Sequence, residues 1–552
     1  MDCETNIDSI RALEEQIREH ERTIIKLKRT RNSLLNVSKL PPEILGKIFS
    51  WNVTLEDEFD RLDEGSHNFL LVCHHWFEVA SHTSEIWSFW GNNTKDWARL
   101  CHRSKTAPLD LVLGDYDHYD DADTTLHNIL RDRAARDTIR RVHLGTVDSE
   151  LSSSIITSLT ANPGEPRPNS IESFILWNRG GTLVDVSNFF TYYRFPKLRY
   201  LDLFNCTISS WDHLTFRTSA LTTLELNFTH PSPIPTTSQL LSILTSNPAL
   251  RKVELATRAI PEDGGYGSST PVQLHHLKEL RLEGDLPHVF RVIHRLDYPR
   301  NMDKLSLTLR DCDVADVSQV IGPYLRDHLR CRDRPQNGQT LRIFSGGPSA
   351  YDGDRINFQT GSAGGIDPSA PEWKPTNTFI SIAIVLKGTL PKDVVERTAL
   401  ELITYVPLDE VVYFRAYNNP ATMEDTNTRF PNLWALSFNT MSLTTAFQNP
   451  NLIADGKVFP SLKYISLTSV NAGEGDWSPL TAFLAHRMSS GNRLDTLKID
   501  GFYSMCPEVM NTIQGMVGEL KVGSPVQKRD RVKLRYRTWP YGRSQALPRP
   551  EA

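Results

Sequence analysis

Three regimes of hydrophobic and polar alternation follow one another along the chain. Residues 7–37 contain neither Gly nor Pro and are rich in Glu, Lys, Arg, Leu and Ile. Within them Ile10, Leu13, Ile17, His20, Ile24, Leu27, Arg31 and Leu34 step by alternating three and four residues. That is a heptad seam of about four heptads, and it predicts one long amphipathic helix. His20 and Arg31 interrupt the seam, and Glu14, Glu15, Arg18, Glu19, Lys26 and Lys28 flank it. Two uses of such a stripe stand open: homodimerisation through residues 7–37, or packing on the chain's own body.

The second regime covers 38–90. In "LPPEILGKIFSWNV" Pro41 and Pro42 stop the preceding helix and suit the first turn of a new one. Ile44, Leu45, Ile48 and Phe49 then give one apolar face over about two turns. Residues 55–67, "LEDEFDRLDEGSH", hold six acids against one Arg and read as an exposed connection. From Phe69 the apolar pattern resumes through Leu70, Val72, Cys73, Trp76, Phe77, Val79, Ala80, Ile86, Trp87 and Trp90. A module this small, with this many large apolar groups on short helices, cannot seal all of them. An apolar face left outside marks a protein–protein site.

The third regime is a repeated L-x-x-L-x-L frame. It begins at "TIRRVHL" (Ile139, Val142, Leu144) and "SIESFIL" (Ile171, Phe174, Leu176), and "KLRYLDL" (Leu198, Leu201, Leu203) follows. "ALTTLEL", "ALRKVEL", "HLKELRL" and "NMDKLSL" continue it at Leu221, Leu250, Leu277 and Met302. After a gap it returns at Phe379, Leu408, Leu433, Leu462 and Leu494. Successive starts lie 32, 27, 23, 29, 27 and 25 residues apart up to Met302, and 29, 25, 29 and 32 apart from Phe379. Helix-like pieces such as "TSQLLSILTSNP" and "PLTAFLAHRMSSG" fall between frames. A strand, a crossover and a parallel neighbour, repeated, predict a curved parallel sheet with helices outside. The predicted fold class is therefore α/β: an N-terminal helix (1–37), a small all-α module (38–90), then a solenoid. The solenoid divides into a linker with a first irregular repeat (91–136), repeats at 137–310, and repeats with a cap at 379–552. Residues 311–378, rich in Gly, Pro and polar groups, read as a degenerate repeat at Leu341 and Phe344 followed by a long loop. Near the end, Val532, Leu534 and Tyr536 alternate with bases and predict a terminal strand with a solvated basic face.

Length and charge narrow the function. A chain of 552 residues exceeds one core, and 39% apolar with 23% charged residues fits a folded protein. A net charge of -5 argues against a nucleic-acid partner, whose affinity comes from a basic stripe. The seven cysteines, at 3, 73, 101, 206, 312, 331 and 506, contain no CxxC pair and read as reduced thiols. The first residues lack the charged and apolar regions of a secretory signal, and "FISIAIVL" is only as long as a buried strand. The expected setting is the cytoplasm, the nucleus or both, with no membrane partner.

Motifs that carry chemistry are incomplete wherever they begin. "CHH" at 73–75 with "CH" at 101–102 lacks zinc-ligand spacing. "DYDHYDDAD" lacks the Gly and terminal Glu of a calcium loop. "GPSAY" misses the last Gly of a nucleophile elbow, and "GGYGSST" is no phosphate cradle. No catalytic, cofactor-binding or metal-ligating residue is expected, and no enzyme; a site across 311–378 is the least favoured alternative.

The second regime resembles the F-box: an opening Leu-Pro, an Ile/Leu-rich first helix, a Val-Cys-x-x-Trp second helix and a closing Ile-Trp. Leu40, Pro41, Glu43, Ile44, Leu45, Ile48, Phe49, Val72, Cys73, Trp76 and Trp87 stand at matching positions. The acidic stretch at 55–67 is longer than the usual connection and leaves the register near Phe69 and Leu70 open. The third regime resembles irregular leucine-rich repeats, which commonly follow an F-box; Asn205-Cys206 keeps the residue expected after the strand, and several units lack it. The resemblance implies the substrate receptor of a cullin-type ubiquitin ligase. Its F-box face would dock a Skp-type adaptor and, through it, a cullin scaffold, while the repeats hold a protein target. The alternative is a leucine-rich-repeat scaffold with no part in ubiquitination.

A target site is expected where the outward positions of neighbouring strands line up. The residue between the last two apolar positions is Asp202, Glu225, Glu254 and then Arg281. Strands lie about 4.8 Å apart, so three carboxylates in a row repel unless neutralised. Such a ladder, with Tyr200 and Phe204 beside it, would receive a basic segment of the target. The alternative is that Arg281, Lys252 or Lys278 already balances it.

Overall fold

Each apolar frame becomes a β-strand because alternate residues need opposite faces, and the computed structural model shows that alternation directly. It describes residues 2–54, 64–90, 102–113, 130, 133–145, 149–160, 167–168, 170–178, 182–209, 211, 220–229, 233–263, 270–299, 301–330, 339–346, 354–362, 378–388, 390–417, 430–439, 459–468, 477–502 and 505–523. The terminal strand expected around Val532 and most of the acidic stretch at 55–67 lie outside these. The protein is mixed α/β, with a large and mainly parallel sheet. Two compact units divide it: Met1–Leu277 with Arg291–Tyr298, and Lys278–Phe290 with Pro299–Ala552.

The first unit opens with helix α1 (Asp2–Ser33), followed by α2 (Pro42–Thr54) and α3 (His74–His82). A 3₁₀ stretch at Glu64–Leu71 leads into α3, and another at Ser84–Trp87 closes the helical module. Leu45, Phe49, Phe69, Val79, Ala80, Ile86 and Trp87 form its core. Phe49 stacks on Phe69 at 4.6 Å between ring centroids, and Trp76 leans on Phe49 at 5.0 Å. The Trp87 indole N–H donates to the Ala80 carbonyl at 2.7 Å, so the largest side chain is buried with its polar atom satisfied. Gly46 sits inside α2, where Ala would be the better helix former by about 1 kcal/mol. A methyl there would meet Thr83 Oγ1 at 2.7 Å, so close packing against the end of α3 decides the residue.

From the module the chain enters a parallel sheet. Its strands are β1 (Phe89–Trp90), β2 (Leu109–Leu113), β3 (Ile139–Gly145), β4 (Ser173–Trp177), β5 (Tyr200–Phe204), β6 (Thr223–Phe228) and β7 (Lys252–Thr257). Every neighbouring pair in this order is parallel. In β4 Phe174 and Leu176 are buried while Ser173, Ile175 and Trp177 are not, and Leu224, Leu226 and Phe228 repeat the pattern in β6. The crossovers carry helices, among them α4 (Ser149–Thr160) and α5 (Thr237–Thr245). The start of α5 is a capping box in which Thr236 and Gln239 satisfy each other's backbone N–H groups. At the end of β5 Asn205 turns the chain with φ of 51°, a left-handed conformation that Asn tolerates. Its Oδ1 accepts from the Thr229 backbone N–H at 2.8 Å, which ties one crossover to the next.

The second unit begins with parallel β8 (Glu279–Asp285) and β9 (Lys304–Cys312). Leu341 and Phe344 of the expected degenerate repeat fall in a strand, and the fold departs from the long loop expected after them. Residues Gln339–Gly346 (β10) and Arg355–Ser362 (β11) are strands in the sheet, followed by β12 (Thr378–Leu386). β12 lies parallel to β9, β11 runs antiparallel between β12 and β10, and β10 is parallel to β13 (Val411–Tyr417). The segment therefore fills the gap in the repeat with an antiparallel excursion, and the sheet is locally mixed rather than wholly parallel. Strand β11 is hard to read from the sequence because Ile356 and Phe358, its buried apolar positions, share the inner face with Thr360 and alternate with polar residues in a Gly-rich context. Parallel pairing resumes through β14 (Ala435–Asn439), β15 (Tyr464–Thr468), β16 (Thr496–Asp500) and β17 (Glu519–Val522). Helices α6 (Ser478–Ser489) and α7 (Pro507–Met516) supply the last crossovers. Among the described residues no helix is long and apolar enough to cross a membrane.

Candidate functional site

Two surfaces hold the predicted site residues other than Arg281, and both belong to the first unit. On the helical module the apolar residues sort by helix face. Leu45 and Phe49 point into the core, as does Trp87, and together they give the module its shape. Ile44, Ile48, Trp51, Leu71, Val72 and Phe77 keep 40–84% of their surface exposed. Ile44, Ile48 and Trp51 stand at i, i+4 and i+7 and so share one face of α2. Pro41 and Glu43 are exposed beside them, and Leu40 and Cys73 are half-buried. Trp76 is also half-buried and packs on the core rather than standing free. Leu45, Phe49 and Trp87 thus support the module from inside, Trp51 extends the outer face of α2, and Leu71 and Phe77 are further exposed apolar residues of the module. The i+7 step from Ile44 already pointed to Trp51.

The second surface is the outward face of β3 to β7, where the register is direct. Asp202 pairs with Glu225 and Glu225 with Glu254, so the three carboxylates stand in one row. The same row continues through Ile175 to His143. The next row holds Tyr200, Thr223 and Lys252. Lys252 Nζ lies 2.8 Å from Glu225 Oε1 and 3.9 Å from Glu254 Oε2, and the Tyr200 hydroxyl donates to Glu225 at 2.9 Å. The Trp177 indole N–H, one row away in the other direction, donates to Asp202 Oδ2 at 2.7 Å. Phe204 pairs in register with Trp177 and is half-buried.

This geometry alters the expected charge of the ladder. Asp202 is only 6% exposed. Burial first, and the neighbouring Glu225 carboxylate second, push its acid up to about 7, against the opposing Trp177 hydrogen bond. The same causes raise the Tyr200 phenol. Burial and its acidic neighbours therefore favour the neutral form of Asp202, and Lys252 neutralises part of the charge of Glu225 and Glu254. Of the residues weighed for balance, Lys252 meets the row directly, at Glu225 and Glu254. Lys278 instead faces Asp303 at 3.9 Å. Arg281 belongs to the second unit, where it pairs in register with Ser306 and lies 3.7 Å from Glu283. His143, buried in the same face and edge-on to Trp177 at 5.6 Å, has its pKa lowered to about 3 by burial. Trp177 and His143 were not singled out by sequence, because only the register shows that they share the face with Asp202.

The surface can hold a partner through an amphipathic patch: aromatic edges at Tyr200, Trp177 and Phe204 around a partly neutralised acidic row. Among the described residues no cluster of three His, Cys, Asp or Glu side chains is placed to hold a metal ion. His74, one of the histidines beside Cys73, lies 3.2 Å from Glu78. Compared with models of known families and with curated proteins, the chain has no match.

Proposed function

We propose that the chain is a non-catalytic substrate receptor of a cullin-type ubiquitin ligase, with residues 38–90 serving as an F-box and the strand units as an irregular leucine-rich-repeat platform. The observation that carries the reading is the division of apolar residues in the helical module. Seven side chains form a core, while Ile44, Ile48, Trp51, Leu71, Val72 and Phe77 stay in water. Large exposed apolar groups on a small helical module support a role in docking a separate subunit. In this scheme the Skp-type adaptor covers that face, with Leu40, Pro41 and Glu43 at its rim. The patch formed by the row of Asp202, Glu225 and Glu254, with Tyr200 and Phe204 in the rows beside it, contributes to holding a protein target. The chain supplies proximity and no reacting group: tethering the target raises its effective concentration at the ubiquitin-charged enzyme.

Co-purification of the full chain with a Skp-type adaptor tests the proposal. The intact chain is expected to retain the adaptor, and Ile44→Asp/Ile48→Asp to lose it while keeping the parent's thermal unfolding. An intact chain that retains no adaptor would leave the platform as a scaffold outside ubiquitination.

A further inference from the structure

The most extended apolar stripe on the molecule is used neither by the adaptor face nor by the platform. Helix α1 has 32 residues, a length of about 48 Å at 1.5 Å per residue. Along it Ile10, Leu13, Ile17, Ile24 and Leu27, and Leu34 just past its end, remain 50–72% exposed, so among the described residues the chain's own body does not cover the seam. Of the two uses left open by the sequence, packing on the same chain is the one this exposure disfavours. Local ion pairs such as Arg18–Glu15, at 2.7 Å, add only a few tenths of a kcal/mol each to a solitary helix. Helices owe most of their stability to packing of an apolar face, and this one finds no such packing among the described residues of its own chain.

We infer that the stripe is covered by a second copy of this chain in a parallel, in-register two-stranded coiled coil. The seam itself selects the occupant. Its a positions are Ile10, Ile17, Ile24 and Arg31, and its d positions are Leu13, His20, Leu27 and Leu34. Ile at a with Leu at d is the pattern that favours two parallel strands. In register, six layers are apolar on both sides, and the polar residues are confined to a His20 layer and an Arg31 layer. In an antiparallel pair with Ile10 opposite Leu34, Ile24 would face His20 and Leu13 would face Arg31. Four layers would then set a polar group against an apolar one, which leaves that group desolvated without a partner. The flanking positions fit the parallel arrangement too. Glu14, Glu21 and Lys28 at e would meet Ser9, Gln16 and Thr23 at g of the other copy, with no like-charge pair. This pairing does not depend on the adaptor reading; combined with it, one particle would carry two adaptor faces and two platforms.

Light scattering after size exclusion of the purified full chain, at about 1–50 μM, is the test. The expected mass is twice the 62.7 kDa of one chain. Ile17→Asp/Leu27→Asp, both at exposed positions, is expected to halve that mass while leaving the thermal unfolding of the remainder unchanged. With Cys3, which also falls at an a position, replaced by Ser in both cysteine variants, oxidised Leu27→Cys is expected to give a disulfide-linked dimer, since facing d positions lie within disulfide reach only when the strands are parallel and in register. Arg22→Cys, on the outer side of the helix, sets the background from the native thiols. A parent of one-chain mass, a mass above two chains, a dimer that survives the double substitution, or Leu27→Cys linking no better than Arg22→Cys would each overturn the inference.

Discussion

In the helical module seven apolar side chains form a core while six others of similar size face water. In the strand platform that follows it, the exceptions have the opposite sign, and polar groups sit inside. Asp110, His143, Asn178 and Asp202 are all buried there. Most of these have visible partners: Arg140 holds Asp110 with two hydrogen bonds, Asn178 donates to the carbonyls of Thr182 and Asn205, and Trp177 donates to Asp202. A buried polar group that is hydrogen-bonded costs little and adds specificity, so most of the platform's exceptions are resolved within the chain. An exposed apolar cluster has no such local resolution, and its remedy must come from another molecule.

The contrast breaks most visibly with two tryptophan and isoleucine variants. Trp87→Ala removes a buried ring and its N–H bond to Ala80, and is expected to cost roughly 3–5 kcal/mol in urea unfolding. Ile48→Asp, on the same module but facing water, is expected to change stability by no more than about 0.5 kcal/mol. Equal losses would mean that the outward face is already packed.

Next in size are the opposed titrations of the platform. Asp202 is raised from 3.8 to about 7, so its stabilising contribution is complete below about pH 4 and is lost as pH rises to about 7. His143 is lowered from 6.5 to about 3, so its contribution is complete above about pH 6.5 and is lost as pH falls. Between about pH 4 and 6.5 the two slopes offset each other. Asp202→Asn is expected to leave a stability that rises with pH through this window, and His143→Gln one that falls. Each contribution is bounded by about 4–5 kcal/mol in total, because a tenfold change in proton affinity on folding is worth about 1.4 kcal/mol. Thermal midpoints at several pH values read the sign directly, and two parallel profiles would dissolve the assignment.

A smaller effect separates packing from propensity. Gly46→Ala is expected to destabilise the module by about 1–3 kcal/mol despite the better helix former, because the methyl collides with Thr83. The smallest is Lys252→Met, worth under about 1 kcal/mol for a partly exposed pair. Since Lys252 lowers the Asp202 acid, its loss should move that titration upward, which NMR of the Asp202 carboxyl would show.

Periodicity alone determined the strand positions at Val142, Phe174, Leu201, Leu224 and Val253, because a half-buried strand must alternate and a repeat must return at a steady interval. It also determined the seam of α1, a local relation between residues three and four apart. The antiparallel excursion at 339–362 could not be read that way: which strand lies beside which depends on contacts between residues far apart in the chain. Nor could the fate of the acidic row, since Asp202 owes its shifted acid to Trp177, Glu225 and burial, and Lys252 meets Glu225 only across the sheet. Tertiary structure also decided that Leu45 and Phe49 face inward while Ile44 and Ile48 face outward, because one helical stripe of four apolar residues is wider than the core it covers.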